Sequence, residues 1–540
     1  MARPNPPRSK ALLGADPYAR HLVARLQDFF ADTSPWPRRL WESGSVLALR
    51  EAAEAGDWVR MRVLSPGAVS WYLRELERHL GPDRGLGESR LRKELTSLLR
   101  TGLEPDSRER RRLVQLLPMI QDGYLARWAV AVDTDRPPSP ERLARAIATH
   151  LLDCGHSSGR LHRWARGLSA RPEATLEDLF TQMDQLAEQE DRDIEVLVPF
   201  ISVPEHQSLA AHLPEWRSPQ AAAAWFAEQG IGTPPRHNGA FLYTFPAKDP
   251  VAAARIASRQ VQRLDARRSY SRGSRKRLVP EGRVWVAGVA DPLPLWPPER
   301  GVNVLSLERE KTMYAVSQND RIDEALELAA PLNAGPAASA VAGGWAAIES
   351  LLYHPGDKAD AEQGRAVAAD RLAAIITCSW PRAELTALSY RHAPSTPDQL
   401  VARLRECVSN RQRSRVVADA LAEGTPIALE LAGDMAAAER MRAVLRAPHP
   451  QLGDVHRTVQ GALRRLYRQR NIVVHGGNTA AIALDSALRT AAPLIGAGLD
   501  RVVHAHLTDH VEPLFLAARA ENSLALAGDP LGPHLTALLE

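Results

Sequence analysis

The stretch LYRQRNIVVHGGN, residues 466–478, reads as the end of a long helix, and its reading organises the rest of the chain. Val459, Leu463, Leu466, Tyr467, Val473 and Val474 keep the i, i+4, i+7, i+8 rhythm of a buried stripe, so residues 454–475 are expected to be helical. Arg470 lies seven residues after Leu463 and three before Val473, which puts a cation on that apolar face. A guanidinium there needs partners, because an unpaired buried charge is costly. Asn471 and His475 are four apart, so they lie about 40° from each other around the axis, beside Arg470. Gly476 and Gly477 suit a helix stop and leave His475 in the last turn.

The Arg-to-His interval alone says little. With 62 Arg and 17 His, chance supplies about two Arg-x4-His pairs. The chain has four, at Arg74/His79, Arg145/His150, Arg470/His475 and Arg501/His506. Context singles out the third. A purely structural reading remains open there: a buried Arg satisfied by a nearby carboxylate, and a His donating to helix-end carbonyls.

A second segment, AVAGGWAAIESLLYHP at 340–355, places Trp345 and Glu349 four apart among small residues that permit close packing. Glu349 is the expected partner of Arg470. The structural alternative is an exposed Glu and a core Trp.

Composition sets the class. The 540 residues are 44% hydrophobic and 24% charged, ordinary for a globular chain of two to four domains. A net charge of +4 is too small for this length to argue for nucleic acid through overall charge. Only six of the 68 basic residues are Lys, so Arg runs are discounted as binding patches. Cys154, Cys378 and Cys407 are odd in number and widely spaced, which fits a reducing cytoplasm and gives no zinc set. Neither a signal peptide nor a membrane span is expected, and the protein is expected to be cytoplasmic, without cofactor or metal.

The fold expected is mostly α with a small α/β domain. Residues 1–190 read as a helical N-terminal region, with helices at AVSWYLRELERHL (68–80) and LEDLFTQMDQLAEQ (176–189). A small α/β layer is expected over 191–318, with strands at IEVLVPFISV, GAFLYTF, RVWVAGV and VNVLSLE alternating with helices. Ser218 and Pro219 suit the cap and first turn of one of those helices. From 320 to 540 a helical bundle is expected, with YHPGDKAD, SWPR and RAPHPQLGD as connectors and a break at Pro493. The densest basic run, Arg263–Arg277, reads as a solvated loop, and DSRERRR as a helix surface. Residues 191–318 offer no phosphate-cradling glycine loop and no set of nucleophile, base and orienter.

The bundle resembles a HEPN domain, the higher-eukaryote and prokaryote nucleotide-binding superfamily. GGWAAIESLL is similar to its first long helix, and RNIVVH to its Arg–polar–variable–His signature; together with the bundle the resemblance covers about 40% of the chain. It implies a metal-independent endoribonuclease with Arg470 and His475 catalytic, Asn471 the polar residue and Glu349 in support. It also implies a homodimer whose motif helices face each other, an RNA substrate, and a toxin-like or anti-phage effector. The N-terminal 320 residues would then sense a phage-derived or regulatory trigger, or restrain the nuclease. A non-catalytic scaffold that binds RNA or a partner protein is the alternative. Five residues put Arg470 and His475 about 140° apart around an ideal helix. A shared site is therefore expected to need an unwound helix end or a partner helix.

Overall fold

The computed structural model describes residues 7–87, 89–203, 212–270, 277–317, 320–356 and 364–540. It is mostly helical with one small sheet. The N-terminal helices are α1 (Pro17–Phe30), α2 (Ser45–Arg60), α3 (Pro66–Leu80), α4 (Ser89–Thr101), α5 (Arg108–Gln121), α6 (Tyr124–Val132), α7 (Pro140–Asp153), α8 (Ser158–Ser169) and α9 (Leu176–Glu188). Several start as their sequence demands. The carboxylate of Asp16 and the hydroxyl of Ser65 each accept a backbone N–H of the first turn, with Pro17 or Pro66 next, where no donor is missed.

Strands β1 (Arg192–Ser202), β2 (Trp216–Arg217), β3 (Ala240–Ala247), β4 (Val279–Pro280), β5 (Arg283–Val286) and β6 (Leu293–Pro294) follow, with α10 (Pro219–Glu228) and α11 (Pro250–Ser269) between them. The path is β2-β3-β1-β5-β6, with β4 also on β1, and the pairings are antiparallel. Ser218 caps α10 as expected, accepting from the Ala221 N–H at 3.2 Å. The apolar run of β1 is nearly continuous because both faces are covered. Val196, Val198 and Phe200 pack with Ala253, Ala257 and Val261 of α11, while Leu197 and Trp285 pack with Trp225 and Phe226 of α10.

The longer helices that follow are α12 (Arg321–Ala329), α13 (Ala337–Leu352), α14 (Val367–Arg391), α15 (Gln399–Arg405), α16 (Asn410–Ala422), α17 (Ala432–Arg446), α18 (Pro448–Val474), α19 (Leu484–Asp509) and α20 (Pro513–Ala525). They enclose one large apolar core that includes Trp345, Leu372, Ile376, Leu463, Leu466 and Ile495.

Four expectations are corrected. VNVLSLE forms no strand: Val302 and Val304 pack on the bundle core, and Ser306 donates from its backbone N–H to Asp500 Oδ1 of α19 at 2.8 Å. SWPR is not a connector, since Pro381 lies inside α14; burial of Ser379, Trp380 and Pro381 offsets the lost helical hydrogen bond. RAPHPQLGD shrinks to a single non-helical residue, Ala447, before Pro448 opens α18. Pro493 does not end α19; His510 does, with φ of 53°. Residues 271–276 of the basic run, and 357–360 of YHPGDKAD, lie outside the described residues.

The domain division also differs. One compact unit comprises Met1–Asp153, Ala165–Asp184 and Arg300–Glu540; the other comprises Cys154–Trp164 and Gln185–Glu299. Apart from the first half of α8 and the end of α9, the N-terminal helices belong to the same unit as the C-terminal bundle. Arg38 pairs with Asp434 at 2.7 Å, Arg489 with Asp153 at 2.6 Å, and Arg440 with Glu384 at 3.0 Å while also donating to the Pro37 carbonyl. These contacts join sequence-distant residues, so no local pattern announces them.

Candidate functional site: the end of helix α18

Helix α18 runs to Val474, and His475 follows it with a helical backbone whose N–H still reaches the Asn471 carbonyl at 2.8 Å. Gly477, at φ of 64°, takes the left-handed conformation that turns the chain away. The Asn478 N–H then closes on the Ile472 carbonyl at 3.3 Å. The two glycines end the helix as their sequence indicates.

Arg470, Asn471 and His475 meet at this end. Arg470 Nη1 donates to His475 Nε2 at 2.9 Å and to Asn471 Oδ1 at 3.0 Å. No unwinding before His475 is needed. The expected obstacle came from the angle between Cα positions, and the long Arg side chain reaches across it. Arg470 is half-buried, His475 is exposed and Asn471 is buried. The guanidinium therefore has one face fixed by the protein and another open to solvent. Such a group can hold a phosphate, and the imidazole beside it can accept or donate a proton.

Glu349 does not pair with Arg470. Its Oε2 accepts from Trp345 Nε1 at 2.7 Å, and Oε1 meets Arg365. Trp345 is fully buried, and its ring lies 4.5 Å from that of Tyr467, three residues before Arg470. Glu349 thus acts on α18 indirectly, by fixing the Trp345 indole against Tyr467. The nearby Arg365 captures the carboxylate because it lies beside α13, whereas Arg470 points to the helix end.

The buried cations of α18 are others. Val474, read as part of the apolar stripe, is 48% exposed. Arg464, Arg465 and Arg468 are buried instead. Arg464 meets Asp370 of α14, with Nε to Oδ1 at 2.7 Å. Arg465 and Arg468 share one carboxylate, Glu51 of α2. Its Oε2 accepts from Arg465 Nε at 2.9 Å, and its Oε1 accepts from Arg468 Nη2 at 3.1 Å and Nε at 3.2 Å. Tyr72 OH also donates to Oε2 at 3.3 Å. Burial raises the Glu51 pKa, but the two guanidiniums win and hold it at about 2. Farther along, Trp58 of α2 lies against Gly476, where a Cβ would come within 3.0 Å of the indole. Helix α2 therefore meets α18 at Arg465–Arg468 and the turn that follows it at Gly476, on either side of Arg470.

Sequence reasoning missed Glu51, Arg465 and Arg468. One signal was present: RRLYRQR holds four Arg, and no carboxylate occurs between Asp454 and Asp485. Cations on a buried face without carboxylates on their own helix must find them elsewhere.

No protein-family model, no curated protein and no solved structure matches the chain.

Proposed function

We propose that the protein is a metal-independent endoribonuclease of the HEPN type, working as a toxin-like effector of bacterial defence. One observation supports this above the rest: Arg470 and His475 are in direct contact, 2.9 Å apart, at an open helix end. An RNA phosphate would replace His475 as acceptor for Arg470 Nη1 and free Nε2. His475 would then take the proton of a ribose 2′-hydroxyl as its oxygen attacks the adjacent phosphorus. The O2′–P bond forms, the P–O5′ bond breaks, and the leaving 5′ oxygen takes a proton from an imidazolium. In a homodimer, the second copy's motif would supply that imidazolium. Arg470 would stabilise the charge gathering on the phosphate, with Asn471 keeping its plane aligned. The product ends are a 2′,3′-cyclic phosphate and a 5′-hydroxyl.

The test is incubation of the full-length protein with RNA in EDTA, with analysis of the product ends. Cleavage to cyclic phosphates supports the enzyme. RNA binding without cleavage supports the non-catalytic scaffold instead.

A further inference from the structure

A cavity of about 1350 Å³ opens inside the larger compact unit, walled by the N-terminal helices on one side and by α17 and α18 on the other. Its lining includes Arg465 and Arg468, the aromatic residues Trp41, Trp71 and Tyr72, and Gly461. Each feature constrains what fits there.

Charge comes first. Glu51 brings one negative charge to two guanidiniums that are both buried. A buried cation seeks full compensation. Arg465 uses Nε on Glu51 and Nη1 on Ser43 Oγ at 2.6 Å; Arg468 uses Nε and Nη2 on Glu51. That leaves Arg468 Nη1 without a hydrogen-bond acceptor among the described residues, while Arg465 also meets the Tyr72 hydroxyl. A free guanidinium nitrogen, in a lining that counts eight Arg against six carboxylates, matches the oxygens of a phosphate, sulfonate or carboxylate.

The walls come second. Seven aromatic side chains, Trp41, Trp71 and Tyr72 among them, line the same space, in a chain with only 5% aromatic residues. Arg468 already stacks on Tyr72, 3.9 Å from its centroid, and Arg464 on Trp71 at 4.1 Å. Those two faces already carry guanidiniums, and the other rings give the cavity aromatic walls that suit a planar ring. Gly461 lies one turn before Arg465, and a Cβ built on it would meet no atom within 4 Å. It leaves the cavity open beside the cations.

We propose that this cavity is a binding site for a small organic anion carrying an aromatic ring, with its anionic group on Arg465 and Arg468. The bound anion completes the neutralisation that Glu51 begins and strengthens the tie between α2 and α18. The site stands independently of the ribonuclease reading; an effect of the ligand on RNA cleavage would rest on that reading.

The probe is 8-anilinonaphthalene-1-sulfonate, titrated by fluorescence into the folded full-length protein. Saturable binding at one site per chain is expected. Its uncharged counterpart, N-phenyl-1-naphthylamine, should bind at least tenfold more weakly. Gly461→Trp places an indole in the cavity one turn from Arg465 and should weaken dye binding at least tenfold, whereas Gly461→Ala should leave it unchanged. Circular dichroism checks that both variants fold. Displacement of the dye by ATP would identify a phosphate-bearing ligand, and displacement by indole-3-acetate a carboxylate-bearing one. The proposal is overturned if dye binding is not saturable, if Gly461→Trp binds like wild type, if the neutral amine binds equally well, or if neither competitor displaces the dye.

Discussion

Arg470 Nη1 and His475 Nε2 lie 2.9 Å apart although their Cα positions point to different sides of the helix. The contact joins a half-buried cation to an exposed imidazole beyond the last turn.

Neither side chain supports the core, so chemistry and stability should separate. Arg470→Ala and His475→Ala are each expected to lower RNA cleavage by at least 100-fold, while shifting stability by less than about 1 kcal/mol. Cleavage kinetics in EDTA and thermal unfolding of the same samples check this. Wild-type cleavage in both variants would remove these residues from the site.

Glu51 behaves in the opposite way. Replacing it by Gln leaves two buried guanidiniums without their counter-charge, which should cost about 3–5 kcal/mol. The wild-type pH response has a defined sign. The Glu51 pKa is depressed on folding, from 4.5 to about 2, so its contribution is fully present above pH 4.5 and is lost as pH falls toward 2. That loss amounts to about 3 kcal/mol. Glu51→Gln should flatten the stability profile in that window, as measured by denaturant titration at stepped pH.

His150 adds a second, higher window. It is buried and stacked on Tyr124 with centroids 4.7 Å apart, and burial pushes its pKa from 6.5 down to about 4. The folded state therefore favours the neutral ring. Stability from this source is complete above pH 6.5 and falls as pH drops through 4. His150→Phe should remove the dependence between those values. An unchanged pH profile in that variant would contradict the assignment.

Trp345 connects α13 to the site. Trp345→Ala empties a fully buried position and should cost about 3–5 kcal/mol, with a loss of RNA cleavage. Trp345→Phe keeps a ring against Tyr467 but loses the bond to Glu349 Oε2, so an intermediate effect on both is expected. Paired measurements of unfolding and cleavage read the two contributions.

Much of the fold follows from local rules that the chain writes openly. The stripe through Val459, Leu463 and Leu466, the Ser218–Pro219 start, and the glycine stop after His475 depend only on neighbours along the chain, and the helices form where those neighbours place them. The grouping of Arg470, Asn471 and His475 was legible for the same reason, since six consecutive positions and one flexible side chain define it. Tertiary packing decided the rest. Pro381 stays helical because its surroundings are buried, and VNVLSLE gives up a strand to meet Asp500. Glu349 turns to Arg365, and Glu51 reaches across more than 400 residues to Arg465 and Arg468. A buried charge takes the partner that folding brings within hydrogen-bond reach, and that partner is set by packing in three dimensions, which spacing along the chain does not encode.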